Sequence, residues 1–308
     1  MGLKRARGAE QTDPAVTLLA LAVLLASGAT PASSWRHLAE SGDTAAARIV
    51  ARFDAGAALV DAIAAERQEG DSGEAWGDVA AAWEVAETVG APLAETLRAV
   101  ADSLRDASEL RDDVRVALAE PMASARLMTW LPLLGLVVAA GLGLDPLGVL
   151  FGTTLGIVCL VAGLAMIVTA RVWTRRLVVR AQPAPETPGM HEELLAAALS
   201  GGVSVGRARD VLSRCDEWTE AATRDSAEAE RVLSLSRAAG VPAVELLRAS
   251  AAHARHRART DGRTRAARLG TRLLIPMGVC TLPAFLLLGV APMLLSVVTA
   301  TPIPTFAG

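Results

Sequence analysis

The chain has 308 residues, of which 52% are hydrophobic, 3% aromatic and 20% charged, and it contains no tyrosine. Its formal net charge of −3 argues against a nucleic-acid-binding protein, because neutralising phosphate groups requires a clustered positive excess. The three cysteines are scattered and give neither a disulfide framework nor paired metal ligands.

The first apolar segment runs from Ala15 to Ala29 and follows a basic leader that contains Lys4. A basic leader, an apolar run and small residues are typical of a signal peptide or a short anchor. The run is, however, shorter than the roughly 20 residues of a membrane span. An internal repeat also aligns it with Leu194–Leu199, which begins a soluble-looking helix. We therefore predict a buried bundle helix for residues 15–27, with an anchor or a signal peptide as alternatives.

That repeat relates two soluble regions of the chain. The segment GAPLAETLRAVA, which begins at Gly90, matches GVPAVELLRASA, which begins at Gly240, at an offset of 150 residues. Earlier in each region, Gly28 corresponds to Gly202 at an offset of 174 residues. This self-similarity predicts two copies of one helical unit.

Each copy contains helices that end at a glycine and are followed at once by another helix. Glycine accepts the left-handed conformation after a helix, and proline is well accepted at the first helical position. Apolar residues recur three or four positions apart, and no stretch shows sustained strand alternation. The predicted helix–turn positions are Gly28, Gly90, Pro92, Gly202, Gly240 and Pro242.

Three apolar segments approach or reach the length of a bilayer span, namely Leu127–Leu144, Leu147–Ala170 and Leu273–Val298, and none contains a charged residue. The first two are separated only by Asp145-Pro146, which predicts a tight hairpin. Proline disrupts helical hydrogen bonding, so we expect kinks in the third span. The predicted membrane-entry and kink positions are Pro121, Pro132, Pro276, Pro283 and Pro292.

The distribution of arginine predicts the orientation of the spans. Arginines precede the first span, follow the second and precede the third, whereas the hairpin tip and the C-terminal tail contain no Lys or Arg. Basic residues favour the cytoplasmic side of a membrane, which predicts a cytoplasmic N-terminus and an extracytoplasmic C-terminus. The predicted inner-boundary residues are Arg126, Trp130, Arg171, Trp173, Arg175, Arg176 and Arg272.

We thus predict an all-α membrane protein with two homologous antiparallel helical-bundle domains in the cytoplasm and three transmembrane helices. The predicted segments are residues 1–125 for the first cytoplasmic domain, 126–170 for the transmembrane hairpin, 171–189 for a linker, 190–270 for the second cytoplasmic domain, 271–300 for the third transmembrane helix and 301–308 for an extracytoplasmic tail.

Apparent catalytic signals have simpler explanations. Gly202-Val-Ser204-Val-Gly206 matches a nucleophile elbow, but Ser204 occupies a helix N-cap position and no strand precedes it. His253 and His256 have arginine neighbours that would repel a cation. The only lysine is Lys4, so the domains lack the lysine of a Walker A motif. We predict no enzyme activity and no catalytic, cofactor-binding or metal site.

Three segments resemble a known family. LLAAALSGGV, which begins at Leu194, looks like a helix–glycine hairpin of the type II secretion system F family. IPMGVCTLPAFLLLGVAP, which begins at Ile275, is similar to the terminal span of its tight-adherence branch, and ALAEP at 117–121 resembles the entry to its first span. Residues 41–80 show no clear family pattern.

The resemblance implies an inner-membrane platform protein of a type II secretion or tight-adherence pilus machine. It implies a separate secretion ATPase, pilin-like subunits and a related F-family protein as partners, in a homo- or hetero-oligomer. We expect partner contacts on the charged faces of residues 95–113 and 248–272. A transporter or permease subunit is the alternative, although it predicts ionisable residues inside the spans, which contain none.

Overall fold

The computed structural model describes residues 13–69, 72–141, 146–181, 187–219, 221, 227–292 and 294. Every regular element in these ranges is a helix. The basic leader with Lys4, the hairpin-tip residue Asp145, part of the predicted linker and the predicted tail 301–308 lie outside the described residues.

The helices follow the glycine and proline signals of the sequence. Asp13, Thr30, Asp43 and Ser204 cap helices by accepting a hydrogen bond from a backbone N–H of the first turn. The α-helices are α1 Pro14–Ala26, α2 Pro31–Glu40, α3 Thr44–Asp54, α4 Leu59–Ala64, α5 Gly73–Val89, α6 Leu93–Gly141, α7 Pro146–Gly152, α8 Thr154–Ala181, α9 Met190–Ser200, α10 Val205–Leu212, α11 Ala227–Ala239, α12 Ala243–Pro276 and α13 Leu282–Phe285. Short 3₁₀ turns follow α4 and α10, at Ala65–Gln68 and Ser213–Cys215.

The chain divides into two compact units. Unit 1 comprises residues 1–110 and 184–260, and unit 2 comprises residues 111–183 and 261–308. Unit 1 therefore draws on both regions that the sequence assigns to cytoplasmic domains. Within it, α5 packs against α9 and α10, and helices from both regions contribute to one hydrophobic core.

The core of unit 1 is built on two tryptophan contacts and many small residues. The Trp35 ring lies 6.5 Å from that of Trp76 and 6.1 Å from that of Trp83, in tilted arrangements that aromatic rings favour. A run of alanines in α5 is buried as well, which allows neighbouring helices to approach closely. The predicted domain boundaries themselves stay a prediction.

Helix α1 belongs to this core. It begins after the cap Asp13, and its side chains Leu18, Leu21 and Ala22 are fully buried in unit 1. Burial of each leucine contributes about 1.5–3 kcal/mol. This packing favours a bundle helix for residues 15–27 over an anchor.

Unit 2 contains long apolar helical segments. Among the residues that the structure describes, two helical stretches are long and apolar enough to cross a membrane: Thr154–Arg180, and a window within Ala243–Val290. Apolar side chains on α8, such as Leu155, Val158 and Val161, are exposed. The predicted first span lies within α6 as far as Gly141 and then continues outside the described residues. Three transmembrane helices therefore remain a proposal.

The third apolar segment winds irregularly after two of its prolines. α12 ends at Pro276 and is followed by a π-helical stretch, Met277–Thr281, and a second one, Leu286–Val290, follows the short helix that holds Pro283. Proline removes one N–H donor and crowds the preceding turn, and a local change in helical winding relieves that crowding.

Candidate functional site

Two long helices, α6 and α12, carry the charged faces that the sequence singles out. Both begin after a glycine with positive φ, 73° at Gly90 and 67° at Gly240. In each turn the N–H after the glycine donates to a carbonyl five residues earlier, Ala91 to Ala86 at 2.9 Å and Val241 to Ser236 at 3.3 Å. This hydrogen bond is that of a Schellman motif, which ends one helix so that the next can start.

In unit 1, acidic residues of α6 pair with arginines of α12. The Arg259 guanidinium donates to Asp106 Oδ1 at 3.1 Å and to Glu109 Oε2 at 2.8 Å. Arg255 Nε lies 3.0 Å from Asp106 Oδ2, and its Nη1 donates to Ser103 Oγ at 2.9 Å. The two helices are therefore joined by a short row of ion pairs.

The register of these pairs follows the sequence offset. Arg259 and Glu109 are 150 positions apart, as are Gly240 and Gly90. Residue numbers increase together along the paired helices, so this stretch of α6 runs parallel to this stretch of α12. In unit 2, Arg263 donates to Asp113 at 2.8 Å, again across 150 positions.

Because of these internal ion pairs, fewer charged residues of the two faces are available to bind a partner protein. Asp106, Glu109, Arg255 and Arg259 largely satisfy one another and add little net charge to the surface. In the part of unit 1 that the structure describes, no salt bridge is found for the exposed residues Glu95, Arg98, Asp102 and Arg257. These residues, rather than the whole faces, are the more available charges.

Glu193 is a buried acid at the end of the ion-pair row. It lies on α9, and its carboxylate is 3.4 Å from Arg255 Nη1. Burial raises the pKa of Glu193 above its ordinary value because desolvation disfavours the charged form, and the nearby Arg255 offsets part of that rise.

Asp78 of α5 links the two stretches of unit 1, residues 1–110 and 184–260, through hydrogen bonds that the sequence did not predict. Its buried carboxylate accepts hydrogen bonds from Thr219 Oγ1 at 2.6 Å and Thr187 Oγ1 at 2.7 Å. The available signal was a lone acid within the apolar stretch AWGDVAAAW. Its partners, more than 100 positions away, could not be read from spacing.

Glu66 is a second buried acid in the segment without a clear family pattern. Its fully buried carboxylate pairs with Arg48, at 2.5 Å, and with Arg52. The hydrogen bond to Glu66 raises the pKa of the Arg48 guanidinium. Two arginines one helical turn apart on α3 thereby hold the 3₁₀ turn against the bundle.

The remaining helix–turn positions have the geometry of turns. Gly28 and Gly202 have φ of 93° and 81°, and Pro92 and Pro242 each precede the first residue of a long helix. Ser204 caps α10 by accepting a hydrogen bond from the Arg207 N–H at 3.3 Å. This is the N-cap role that the sequence predicts for Ser204.

The membrane-entry prolines fall in two different settings. Pro121 and Pro132 lie inside α6, and their side chains are outside the described residues. Pro276 and Pro292 are buried and Pro283 is half-buried, in the irregular helix of the third apolar segment.

Most of the predicted inner-boundary residues are exposed in unit 2. Trp130 is 64% exposed and Trp173 39%. The side chains of Arg171, Arg175, Arg176 and Arg272 are exposed too, whereas that of Arg126 is outside the described residues.

The cysteines offer no reactive thiol in unit 1. Burial raises the pKa of the Cys215 thiol to about 12, so it stays protonated at neutral pH. Within the described ranges, no group of three or more His, Cys, Asp or Glu residues is placed to hold a metal ion.

Part of the chain, which includes α6, matches the model of a known protein family. Residues 17–141 match the family model described as "Type II secretion system (T2SS), protein F". This region of the chain is a type II secretion system F domain. The family that the sequence motifs indicated is thus confirmed.

The F domain includes residues 41–80, where no family pattern was evident, and it ends at Gly141, the last residue of α6. A search of curated proteins gives no match. An F domain supports a membrane platform protein of type II secretion or type IV pilus-like systems in general. Together with the apolar helices, it indicates an inner-membrane protein.

Proposed function

We propose that the chain is an inner-membrane platform of a type II secretion or tight-adherence pilus machine that couples a separate secretion ATPase to pilin assembly or protein export. The observation that carries this proposal is helix α6. It runs for 49 residues, about 74 Å at 1.5 Å per residue, from the hydrophobic core of unit 1 into the first apolar span.

A continuous helix transmits displacement and rotation along its axis. One end of α6 packs in unit 1 through Leu97, Val100 and Leu104, so movement of that bundle moves the helix. The apolar end would then move among pilin-like subunits or cargo in the bilayer. The power source is a partner, because the domains contain no lysine for a phosphate-binding loop.

In this proposal the chain crosses the membrane three times, with the N-terminus in the cytoplasm and the C-terminus outside. The arginine bias and the exposed apolar faces of unit 2 support that topology. The two glycine-turn helix pairs, 14–26 with 31–40 and 190–200 with 205–212, support the internal repeat. A second F-family chain or another copy of this one would complete the platform.

The test is cross-linking in native membranes with a tag on the N-terminus, followed by mass spectrometry of the captured proteins. We expect a secretion-type ATPase and pilin-like subunits. Charge reversal of Glu95, Arg98, Asp102 and Arg257 should reduce ATPase capture, whereas reversal at the exposed control positions Arg207 and Arg237 should not. Capture of only a nucleotide-binding transporter subunit would contradict the proposal and favour a permease.

A further inference from the structure

The arginines of α12 fall into two sets. Arg255, Arg259 and Arg263 are engaged by acidic partners on α6. Farther along, the exposed residues Arg265, Arg268 and Arg272 have no salt bridge within the described residues. The second set directly precedes the apolar segment that begins at Leu273, so its positive charge lies at the boundary of that segment.

Helix α8 has the same arrangement at its C-terminal end. Four exposed arginines, Arg171, Arg175, Arg176 and Arg180, follow the apolar stretch, again without a salt bridge in the described part of the chain. No Asp or Glu occurs between residues 146 and 181 or between 262 and 298. These seven arginines are therefore a positive surface without an acidic counterpart in its own sequence segments.

A contact within unit 2 gives the positions of Arg175 and Arg272 along their helices relative to the bilayer. Gly163 of α8 lies against Leu288, such that a Cβ at position 163 would be 2.5 Å from Leu288 Cγ. At about 1.5 Å per residue, Arg175 lies roughly 18 Å along α8 from this contact, and Arg272 roughly 24 Å along the other helix. Half the hydrocarbon core is about 15 Å thick. With this contact near the midplane, both arginines lie beyond the hydrocarbon core.

We propose that these seven arginines form a binding surface for the phosphate groups of anionic phospholipids. The inference rests on the proposed membrane location of unit 2. Guanidinium groups bind phosphate oxygens through paired N–H donors, and their aliphatic stems can lie along apolar helix surface while the charge stays in the headgroup layer. The exposed Trp173 lies among them, and tryptophan prefers the same layer.

The test measures lipid retention by the detergent-solubilised full chain with native mass spectrometry. The probes are phosphatidylglycerol and phosphatidylcholine with identical acyl chains. We expect about a tenfold preference for the anionic lipid, which millimolar inorganic phosphate should not remove, since phosphate lacks the acyl chains. The variant R175Q/R176Q/R268Q/R272Q should reduce the preference to about twofold or less.

Two further variants separate a binding defect from misfolding. R98Q/R207Q/R237Q/R257Q makes the same change in charge at exposed positions of unit 1 and should keep the preference. R175K/R176K/R268K/R272K keeps the charge and should retain most of it. Equal retention of both lipids by the unaltered chain would overturn the inference, as would equal losses in the two glutamine variants. Release of the chain from membranes by alkaline carbonate would instead contradict the proposed membrane function.

Discussion

Glu193 couples the stability of unit 1 to pH. Its folded-state pKa is raised chiefly by burial, so at pH values between the unfolded and the folded pKa the folded state binds a proton more readily than the unfolded chain does. The stabilising contribution of that proton is fully present below the unfolded pKa, about 4.3, and is lost as pH rises through the folded pKa.

Glu193→Gln removes this ionisation and keeps the shape of the side chain. We expect the variant to gain thermal stability relative to the unaltered chain at pH 8, and to gain less or nothing at pH 4. Melting followed by intrinsic fluorescence at a series of pH values checks this. A difference between the two proteins that is independent of pH would contradict the assigned ionisation.

Asp78 should matter to stability because it accepts hydrogen bonds from the buried Thr219 hydroxyl and the half-buried Thr187 hydroxyl. Asp78→Ala leaves Thr187 and Thr219 without their acceptor, and an unsatisfied buried polar group costs about 1–3 kcal/mol. We expect a loss of about 2 kcal/mol or more in the free energy of unfolding, measured by urea titration. The exposed Asp210→Ala serves as control and should change it by less than about 0.5 kcal/mol.

At the scale of elements, the ion pairs between α6 and α12 predict that reversing the charge of one paired residue lowers the free energy of unfolding. Arg259→Glu places three acids together and should cost about 1–2 kcal/mol, more at low salt than at high salt. Arg257→Glu, at an exposed neighbouring position without a salt bridge in the described residues, should cost little. Adding Glu109→Arg to Arg259→Glu should restore part of the loss, because Asp106 keeps its contact with Arg255. No recovery in this swap would show that the row of ion pairs does not hold the helices.

The contact of α8 with the third apolar segment depends on glycine at position 163, because a side chain there would meet Leu288. Gly163→Val would force its methyl groups into Leu288, and overpacking of this kind costs about 1–3 kcal/mol. We expect a lower melting temperature in detergent. Leu288→Ala, which makes room, should rescue part of it, whereas Gly152→Val, where the added Cβ would meet open space, should not lower it comparably.

Local signals in the sequence predicted several elements. Glycine followed closely by proline, serine or threonine predicted the turns at Gly28, Gly90, Gly202 and Gly240, because the cost of positive φ is a property of the residue itself. Long uncharged runs likewise predicted the apolar helices of unit 2. These features depend on neighbouring residues and can be read from the chain alone.

Long-range partners could not be predicted in this way. The sequence assigned the charged faces of α6 and α12 to external partners, whereas Asp106 and Arg259 contact each other across 153 positions. The partners of Asp78 were missed for the same reason. Whether two distant side chains meet depends on how the helices pack, and a helix pattern specifies only which face is buried.

At the scale of the whole molecule, the account depends on α6 acting as one unbroken helix from the packed bundle of unit 1 to the apolar span. Val116 lies in α6 between these parts and is 73% exposed, so replacing it removes little packing. Proline there would delete one helical hydrogen bond and clash with the preceding turn, at a cost of about 3 kcal/mol. Val116→Ala leaves the helix intact.

The most direct test is to measure pilus assembly or protein export, together with ATPase capture, in cells that carry Val116→Pro or Val116→Ala. If α6 transmits movement, Val116→Pro abolishes assembly while the chain remains in the membrane and still captures the ATPase, and Val116→Ala behaves as the unaltered chain. Normal assembly with Val116→Pro would contradict the central claim that α6 couples the cytoplasmic domain to the membrane.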